Sequence, residues 1–248
     1  MKNFLMFALL CALVSCSDED YESNDENVER FNVDGVIFDM VRVDGGSYVM
    51  GSQYGHDNER PAHIEYVKTF YICKTEVTQA LWVAVMGNNP SHFQGDNLPV
   101  EQLSWYDCLE FIVRLNRITG RNFRLPTEVE WEYAARGGNK SEGYIFSGGN
   151  DLDKVGWYYE NADEKTHPVG SKQSNELGIY DMSGNVWEWT SDLLSSDYNS
   201  PRDMYPNSRH VTRGGGHNTD SDKCRSTYRR SSANNHHYEF QGIRIVLE

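Results

Sequence analysis

The stretch that decides the fold reads NELGIYDMSGNVWEW and occupies residues 175–189. Two carboxylate side chains, Asp181 and Glu188, bracket a turn in this stretch. Between them, Gly184 and Val186 can direct main-chain carbonyl oxygens inward. Carboxylate and carbonyl oxygens are the ligands that Ca²⁺ prefers in proteins. The stretch therefore predicts a calcium site formed by these four residues, and the alternative is a turn whose acids are solvated.

The first half of the chain predicts short helices with clear start and stop signals. Thr78 can cap a helix that stops at Gly87. Ser104 begins a second helix, whose apolar residues recur at steps of three and four until Gly120. Thr127 begins a third with the sequence Thr-Glu-Val-Glu, which is that of a capping box.

Strand signals are weaker and more scattered along the chain. Residues 45–51, 64–73 and 243–246 have the β-branched and aromatic content of strands. After residue 138, Gly, Asn, Asp, Ser and Tyr dominate, which predicts long irregular stretches. Such stretches need another source of order, such as bound ions or buried aromatic rings. Early helices followed by irregular β structure predict an α+β fold, and residues 31–248 read as one domain.

Three further motifs accompany residues 175–189. They are RLPTEVEWEYAARGG at residues 124–138, RGG at residues 213–215 and GIR at residues 242–244. Their order and spacing resemble the formylglycine-generating enzyme family, also called sulfatase-modifying factors, over about residues 40–248. The resemblance implies an irregular α+β fold, low in regular secondary structure and related to C-type lectins. It also implies copper- and oxygen-dependent oxidation of a sulfatase cysteine to formylglycine.

The resemblance also bears on calcium. In the family, the positions that match Asp181, Gly184, Val186 and Glu188 bind the ion. Asn161 resembles the start of the family's second calcium site. However, the segment from there to Gly170 is too short to carry all of that site's ligands.

The family's copper site is altered in this sequence. In the family, two cysteines after the RGG motif hold Cu(I), an ion that prefers soft sulfur ligands. The matching positions here are Thr219 and Cys224, so a hydroxyl replaces one sulfur. Gly216 and His217 also stand where the family has a serine and an aromatic residue. We therefore do not expect copper to bind in the family's manner.

Other roles for these residues stay open at this point. Cys224 could act alone as a catalytic thiolate if Arg225 lowered its pKa, or it could be a small buried residue beneath the RGG motif. His217 and Cys224 could form a mixed nitrogen–sulfur metal site. By resemblance, Trp187 and His217 line the substrate groove, with core packing as the alternative for Trp187.

The N-terminus predicts an exported lipoprotein. Lys2 precedes a short apolar run at residues 4–14. Ser15 and Cys16 follow it, and residues 13–16 resemble a bacterial lipobox. Residues 1–15 are therefore predicted to be a lipoprotein signal peptide and Cys16 the lipidated residue. Residues 16–30 are rich in acids and poor in apolar residues, which predicts a disordered tether. An acidic run here resembles the surface-export signal of Bacteroidetes lipoproteins, with a plain spacer as the alternative.

Charge and cysteine content narrow the classes of function. The formal net charge of −14 argues against nucleic acid as a partner. Without residues 1–15, the three remaining cysteines besides Cys16 are an odd number, which excludes a full disulfide framework. We expect a lipid-anchored, calcium-stabilised binding or scaffold module at the cell envelope, on the outer membrane, with a protein or glycan partner. The alternatives are an oxidase that acts on a sulfatase cysteine with an altered site, and another metal-dependent activity at His217 and Cys224.

Overall fold

The computed structural model describes residues 25–200 and 209–248, and the predicted signal peptide and Cys16 lie outside these ranges. The strands are β1 Val28–Val33, β2 Val36–Val43, β3 Gly46–Met50, β4 His63–Val67, β5 Phe70–Cys73, β6 Phe123–Arg124, β7 Trp187–Leu193, β8 Arg209–Arg213, β9 Arg230–Ala233, β10 Gln241–Gly242 and β11 Val246–Leu247. The helices are α1 Gln79–Met86, α2 Trp105–Thr119, α3 Glu128–Ala135 and α4 Leu152–Val155.

The strands form small sheets joined by long irregular segments. One antiparallel sheet has the order β1-β2-β5-β11-β6, so the last strand of the chain is inserted between two early ones. A second sheet has the order β10-β7-β8-β9, in which β10 runs parallel to β7. β3 and β4 form a separate hairpin. This mixture of few helices and short sheets confirms the predicted α+β fold class.

The predicted helix ends are confirmed by their hydrogen bonds. The hydroxyl of Thr78 accepts from the amide of Leu81 at the start of α1. Capping boxes begin α2 and α3, formed by Ser104 with Asp107 and by Thr127 with Glu130. Each box pairs two main-chain amides that would otherwise have no partner at the helix start.

The core lies on both sides of the larger sheet. On one side α1 and α2 pack together, and the rings of Trp82 and Phe111 stack at 4.9 Å between centroids. On the other side, Trp131 and Tyr133 of α3 pack against buried residues of β2 and β5. The helix α3 is therefore fixed between the larger sheet and β7, where the sequence motifs meet.

Three boundaries differ from the predictions. The predicted strand at residues 64–73 is two strands, β4 and β5, because the chain turns between them. The predicted strand at residues 243–246 is also broken: Ile243 and Ile245 each accept one hydrogen bond, from Val77 and Cys73, and the ladder resumes only at Val246. The predicted tether ends too late, because Val28 already belongs to β1 and pairs with Val41.

Candidate functional site

The sequence motifs converge at one place, which we call the motif junction and define as residues 181–188, 213–219 and 240–244. The amide of Gly184 donates to the carbonyl of Gly214 (2.8 Å), which joins the predicted calcium turn to the RGG motif. The amide of His217 donates to the carbonyl of Asn185 (2.7 Å). The third segment joins through β10, which pairs with β7.

The turn at residues 181–188 has an unusual backbone. Asp181 and Asn185 both have positive φ angles, of 60° and 62°. Gly184 has a φ of 95°, and a Cβ added to it would lie 2.2 Å from the carbonyl oxygen of Trp157. Only glycine fits this position without displacing the neighbouring chain.

Buried charges lie beneath this turn. Arg244 donates from Nε and Nη2 to the carboxylate of Glu188 at 2.8–3.0 Å. The indole Nε1 of Trp131 donates to the same carboxylate at 2.6 Å. Arg244 and Glu188 are both completely buried. Glu188 is therefore already neutralised and hydrogen-bonded by protein groups.

Two further carboxylates next to this pair, Asp181 and Glu76, accept hydrogen bonds but form no ion pair of their own. Asp181 accepts from the amide of Gly170 through Oδ2 (2.6 Å), while its buried Oδ1 has no hydrogen-bond partner among the described residues. Burial raises the pKa of Asp181 to about 6. Burial, together with the charges of Asp181 and Glu188, raises the pKa of Glu76 well above its usual range.

These groups fit a hard cation in part. Three buried carboxyl groups face one guanidinium, and burial favours the uncharged form of Asp181 and Glu76. A Ca²⁺ ion bound there would favour their ionised forms. The free oxygen of Asp181 suits such an ion, whereas both oxygens of Glu188 are held by Arg244 and Trp131. Within residues 25–200 and 209–248, no group of three or more His, Cys, Asp or Glu side chains is arranged to hold a metal. Calcium binding by Asp181, Gly184, Val186 and Glu188 stays a prediction, with Asp181 as its best-fitting side chain.

Thr219 has a structural role in the motif junction. Its hydroxyl accepts from the indole Nε1 of Trp187 (3.2 Å) and from the amide of Gly216 (3.1 Å). It thus holds the loop after the RGG motif against β7. An oxygen committed to two donors offers no soft ligand for copper.

Cys224 lies directly beneath the RGG motif. A Cβ added to Gly215 would lie 2.5 Å from the Cys224 sulfur, and the cysteine packs with Leu152, Val155 and Tyr158. Burial, with a smaller effect of Asp220, raises the pKa of the Cys224 thiol to about 12. A thiol with a raised pKa is a poor nucleophile at neutral pH.

The neighbouring arginine does not activate this cysteine. The guanidinium of Arg225 binds both oxygens of Glu59 at 2.8 Å and also contacts Asp222. Of the two roles left open for Cys224, the structure favours the small buried residue beneath the RGG motif, because the charge of Arg225 is paired elsewhere and burial raises the pKa of the thiol.

Among residues 25–200 and 209–248, no second thiol lies in the same cluster as Cys224. Cys73 and Cys108 belong to the core between the larger sheet and α1 and α2, whereas Cys224 belongs to a separate cluster. All three of these cysteines are free and buried. The residues described here therefore do not provide the paired sulfurs of a Cu(I) site.

Trp187 and His217 are both in the interior, with exposed fractions of 2% and 1%. The ring of His217 packs edge-on against Phe93, and its Nε2 lies 3.3 Å from the carbonyl of Glu239. The two residues predicted to line a groove thus present no side chain to an open surface. His217 and the sulfur of Cys224 also contact different residues, so the structure does not favour the nitrogen–sulfur pair that the sequence left open as an alternative.

A family model described as a sulfatase-modifying factor enzyme 1-like domain matches residues 26–248. The chain belongs to this family. The sulfatase-modifying factor family includes formylglycine-generating enzymes, and one from Mus musculus is 31% identical, over 69% of this chain and 47% of that enzyme. The chain thus spans about half of the mouse protein.

Another relative and two solved structures are similar to this chain over more of their length. A chaperone protein LppX from Paenibacillus barcinonensis is 33% identical, over 99% of both chains. Among solved structures, Treponema denticola variable protein 1 superposes with a TM-score of 0.79 at 28% identity, covering 89% of this chain and 98% of that one. PvdO from Pseudomonas aeruginosa superposes with a TM-score of 0.76 at 25% identity, covering 90% and 99%.

Two buried carboxylates next to the motif junction, Glu76 and Glu101, were not found by sequence reasoning. Glu76 accepts from the side-chain amide of Asn185 (3.0 Å), and Glu101 accepts from the amide of Phe93 (2.8 Å). Burial raises the pKa of Glu101 to about 7. Both lie outside the four motifs in sequence, so no motif indicated that they are buried near this site.

Among the described residues, no helix is long and apolar enough to cross a bilayer.

Proposed function

We propose that this member of the sulfatase-modifying factor family is a binding or scaffold module that does not generate formylglycine. The observation that carries the proposal is the state of the two copper positions. The Thr219 hydroxyl is bonded to Trp187 and Gly216, and Cys224 is a single buried thiol with a raised pKa. Copper does not fit these residues, and no other paired thiol is present in the described part of the chain.

Two further observations support a binding role. The relative that spans 99% of both chains is named a chaperone protein, which is a binding rather than a redox role. The side chains of Trp187 and His217, which the resemblance assigns to the substrate groove, are also buried and present no surface to a peptide. The partner we propose is a protein or a glycan at the cell envelope.

The module is proposed to be held to a membrane by lipid on Cys16. The support is the sequence of residues 1–16, with its positive start, short apolar run and terminal cysteine. We place the domain outside the cytoplasm, on the outer membrane. The acidic residues 16–27 would then serve as a spacer between the lipid and β1.

Absence of the oxidase reaction is the direct test. The purified protein, incubated with Cu(I), oxygen and a cysteine peptide of a sulfatase, should form no formylglycine by mass spectrometry and consume no oxygen above background. The matched positive control is the formylglycine-generating enzyme of Streptomyces coelicolor, which is 29% identical to this chain. Copper-dependent formylglycine formation by this protein would refute the proposal.

Calcium is proposed to stabilise the turn at residues 181–188 through Asp181. Because only the folded chain presents this site, saturating Ca²⁺ at about one hundred times its Kd should add about 2.7 kcal/mol to the free energy of unfolding. We expect chelation with EGTA to lower Tm, and Asp181→Ala to remove the difference between the calcium and EGTA samples. Asp197→Ala, in another loop, is the control. Equal Tm values in calcium and EGTA would remove calcium from the proposal.

A further inference from the structure

An open groove lies between three loops outside the motif junction. It is formed by residues 51–56 after β3, residues 143–145 and residues 222–227, with a volume of about 880 Å³. This volume is within the range of pockets that hold small ligands. Neither Trp187 nor His217 lines it, and the sulfur of Cys224 is buried in a separate cluster. Its chemistry is therefore separate from the family's oxidation site.

Ion pairs line the groove, with the less exposed Arg225 and Arg136 on its floor and the more exposed His56 and Asp222 at its rim. Arg225 is bidentate to the buried carboxylate of Glu59 and also donates to Asp222 at 3.0 Å. The Nε2 of His56 lies 2.9 Å from the other oxygen of Asp222. Arg136, at the other end, donates to Glu132 (2.9 Å) and to the carbonyl of Gly51 (2.9 Å). Planar polar groups held in this way are preorganised to bind a ligand.

The loop at residues 51–56, which forms one wall of the groove, is held in shape by hydrogen bonds to its own side chains. The hydroxyl of Ser52 accepts from the amides of Tyr54 and Gly55, both at 3.1 Å. A Cβ added to Gly55 would lie 2.2 Å from the Glu59 carboxylate. Glu59 therefore fixes both the loop and Arg225.

The walls carry aromatic and apolar side chains that the fold leaves in water. Tyr54 is 98% exposed, and Ile145 is also exposed. Tyr144 lines the same groove, and its hydroxyl donates to Glu142. Tyrosine rings provide a large contact area at a low cost in side-chain entropy, which suits a binding surface.

The charge balance selects the class of ligand. Each arginine of the floor is already paired with a carboxylate, and Asp222 at the rim repels anions. A cationic ligand would be repelled by the guanidinium groups of Arg136 and Arg225, which line the groove. The groups that line the groove therefore suit a neutral ligand. Such a ligand would both donate and accept hydrogen bonds and would have an apolar face for the tyrosine rings. A saccharide ring has these properties.

We propose that this groove binds a neutral oligosaccharide, with Tyr54 and Tyr144 against the faces of the sugar rings and the Arg225–Asp222–His56 and Arg136 groups bonded to hydroxyls. The inference rests on the proposed binding function and names the ligand class for it.

The test is isothermal titration calorimetry on the whole mature protein with cello-, malto-, xylo- and N-acetylchito-tetraose. At least one should bind saturably at one site per chain. Tyr54→Ala and Tyr144→Ala should each weaken that binding at least tenfold. Tyr66→Ala, a tyrosine that is 79% exposed on β4 and outside the groove, should leave it unchanged. Circular dichroism melting of each variant checks that the fold is kept.

The remaining probes distinguish the failure modes. A heparin-derived tetrasaccharide tests whether the groove binds an anionic ligand. A second protein, reduced and carboxymethylated so that it is unfolded, tests whether the groove binds an unfolded polypeptide. Binding of only these probes, no binding of the neutral tetrasaccharides at millimolar concentration, or binding unaffected by Tyr54→Ala would overturn the proposal. The formylglycine assay on the same samples is independent. If it is negative while no saccharide binds, the groove proposal alone fails; if it is positive, the proposed binding function fails.

Discussion

Arg244→Met should lower the free energy of unfolding by about 3–5 kcal/mol, because it leaves a buried carboxylate without its partner. Arg244 provides three hydrogen bonds to Glu188 and two to the carbonyls of Cys73 and Tyr180. Without it, Glu188 would lose its only counter-charge while it lies beside Asp181 and Glu76, whose pKa values are already raised. Urea unfolding followed by tryptophan fluorescence would measure the loss, and Tm should fall by roughly 6–20 °C.

The same prediction has an internal check. Arg244→Met combined with Glu188→Leu should be more stable than Arg244→Met alone, because the unpaired charge is removed with its partner. Arg114→Met is the control for loss of an arginine from an exposed helical ion pair with Glu110; it should change stability by less than about 0.5 kcal/mol. If Arg244→Met matched the wild type, the ion pair would not be part of the folding core.

Local structure was readable from the sequence wherever one short segment contains its own signal. Thr78, Ser104 and Thr127 cap the predicted helices because a helix start needs acceptors for its free amides, and the capping side chains lie within three residues of them. The prediction of one continuous strand at residues 243–246 was wrong because its hydrogen-bond partners, Val77 and Cys73, are distant in the chain. Their spacing, and not the local pattern, decides where the ladder breaks.

The site was predicted less well for the same physical reason. The motifs identified the turn at residues 181–188, yet Glu76, which binds Asn185 and the amide of Val186, lies more than 100 residues earlier. The exposure of Trp187 and His217 also depends on side chains from other segments, such as Phe93. A motif gives the residue types at a site, but the fold decides which of them face solvent.

The arginines of the motifs illustrate this point. Arg213 and Arg244 belong to the segments that carry the family resemblance, and both are completely buried in ion pairs. They connect α3 and β7 to the C-terminal segments, so they belong to the frame of the fold. Resemblance in these motifs therefore predicts the fold, whereas Thr219 and Cys224 decide whether the family's reaction can follow.

Arg213→Met should lower the free energy of unfolding by about 3 kcal/mol, since it too breaks a buried pair. Arg213 donates to Glu132 (2.6 Å), to Glu128 (3.2 Å) and to the carbonyl of Ser226 (2.7 Å). The loss should be smaller than for Arg244, because Glu132 keeps Arg136 and Glu128 keeps Arg229. The measurement is urea unfolding beside Arg42→Met, which removes an exposed pair with Asp44.

A second readout separates loss of this pair from a general loss of stability. The carbonyl of Ser226 that Arg213 holds lies two residues after Cys224, so its release should loosen the segment that carries this thiol. Cys224 should therefore react with a maleimide at least ten times faster in Arg213→Met, as mapped by peptide mass spectrometry, while Cys73 and Cys108 stay protected in their separate core. Equal acceleration at all three cysteines would instead mean global unfolding, since local opening exposes only its own segment. If Cys224 reacted no faster in the variant, Arg213 would not be what holds the segment from Cys224 to Ser226 in place.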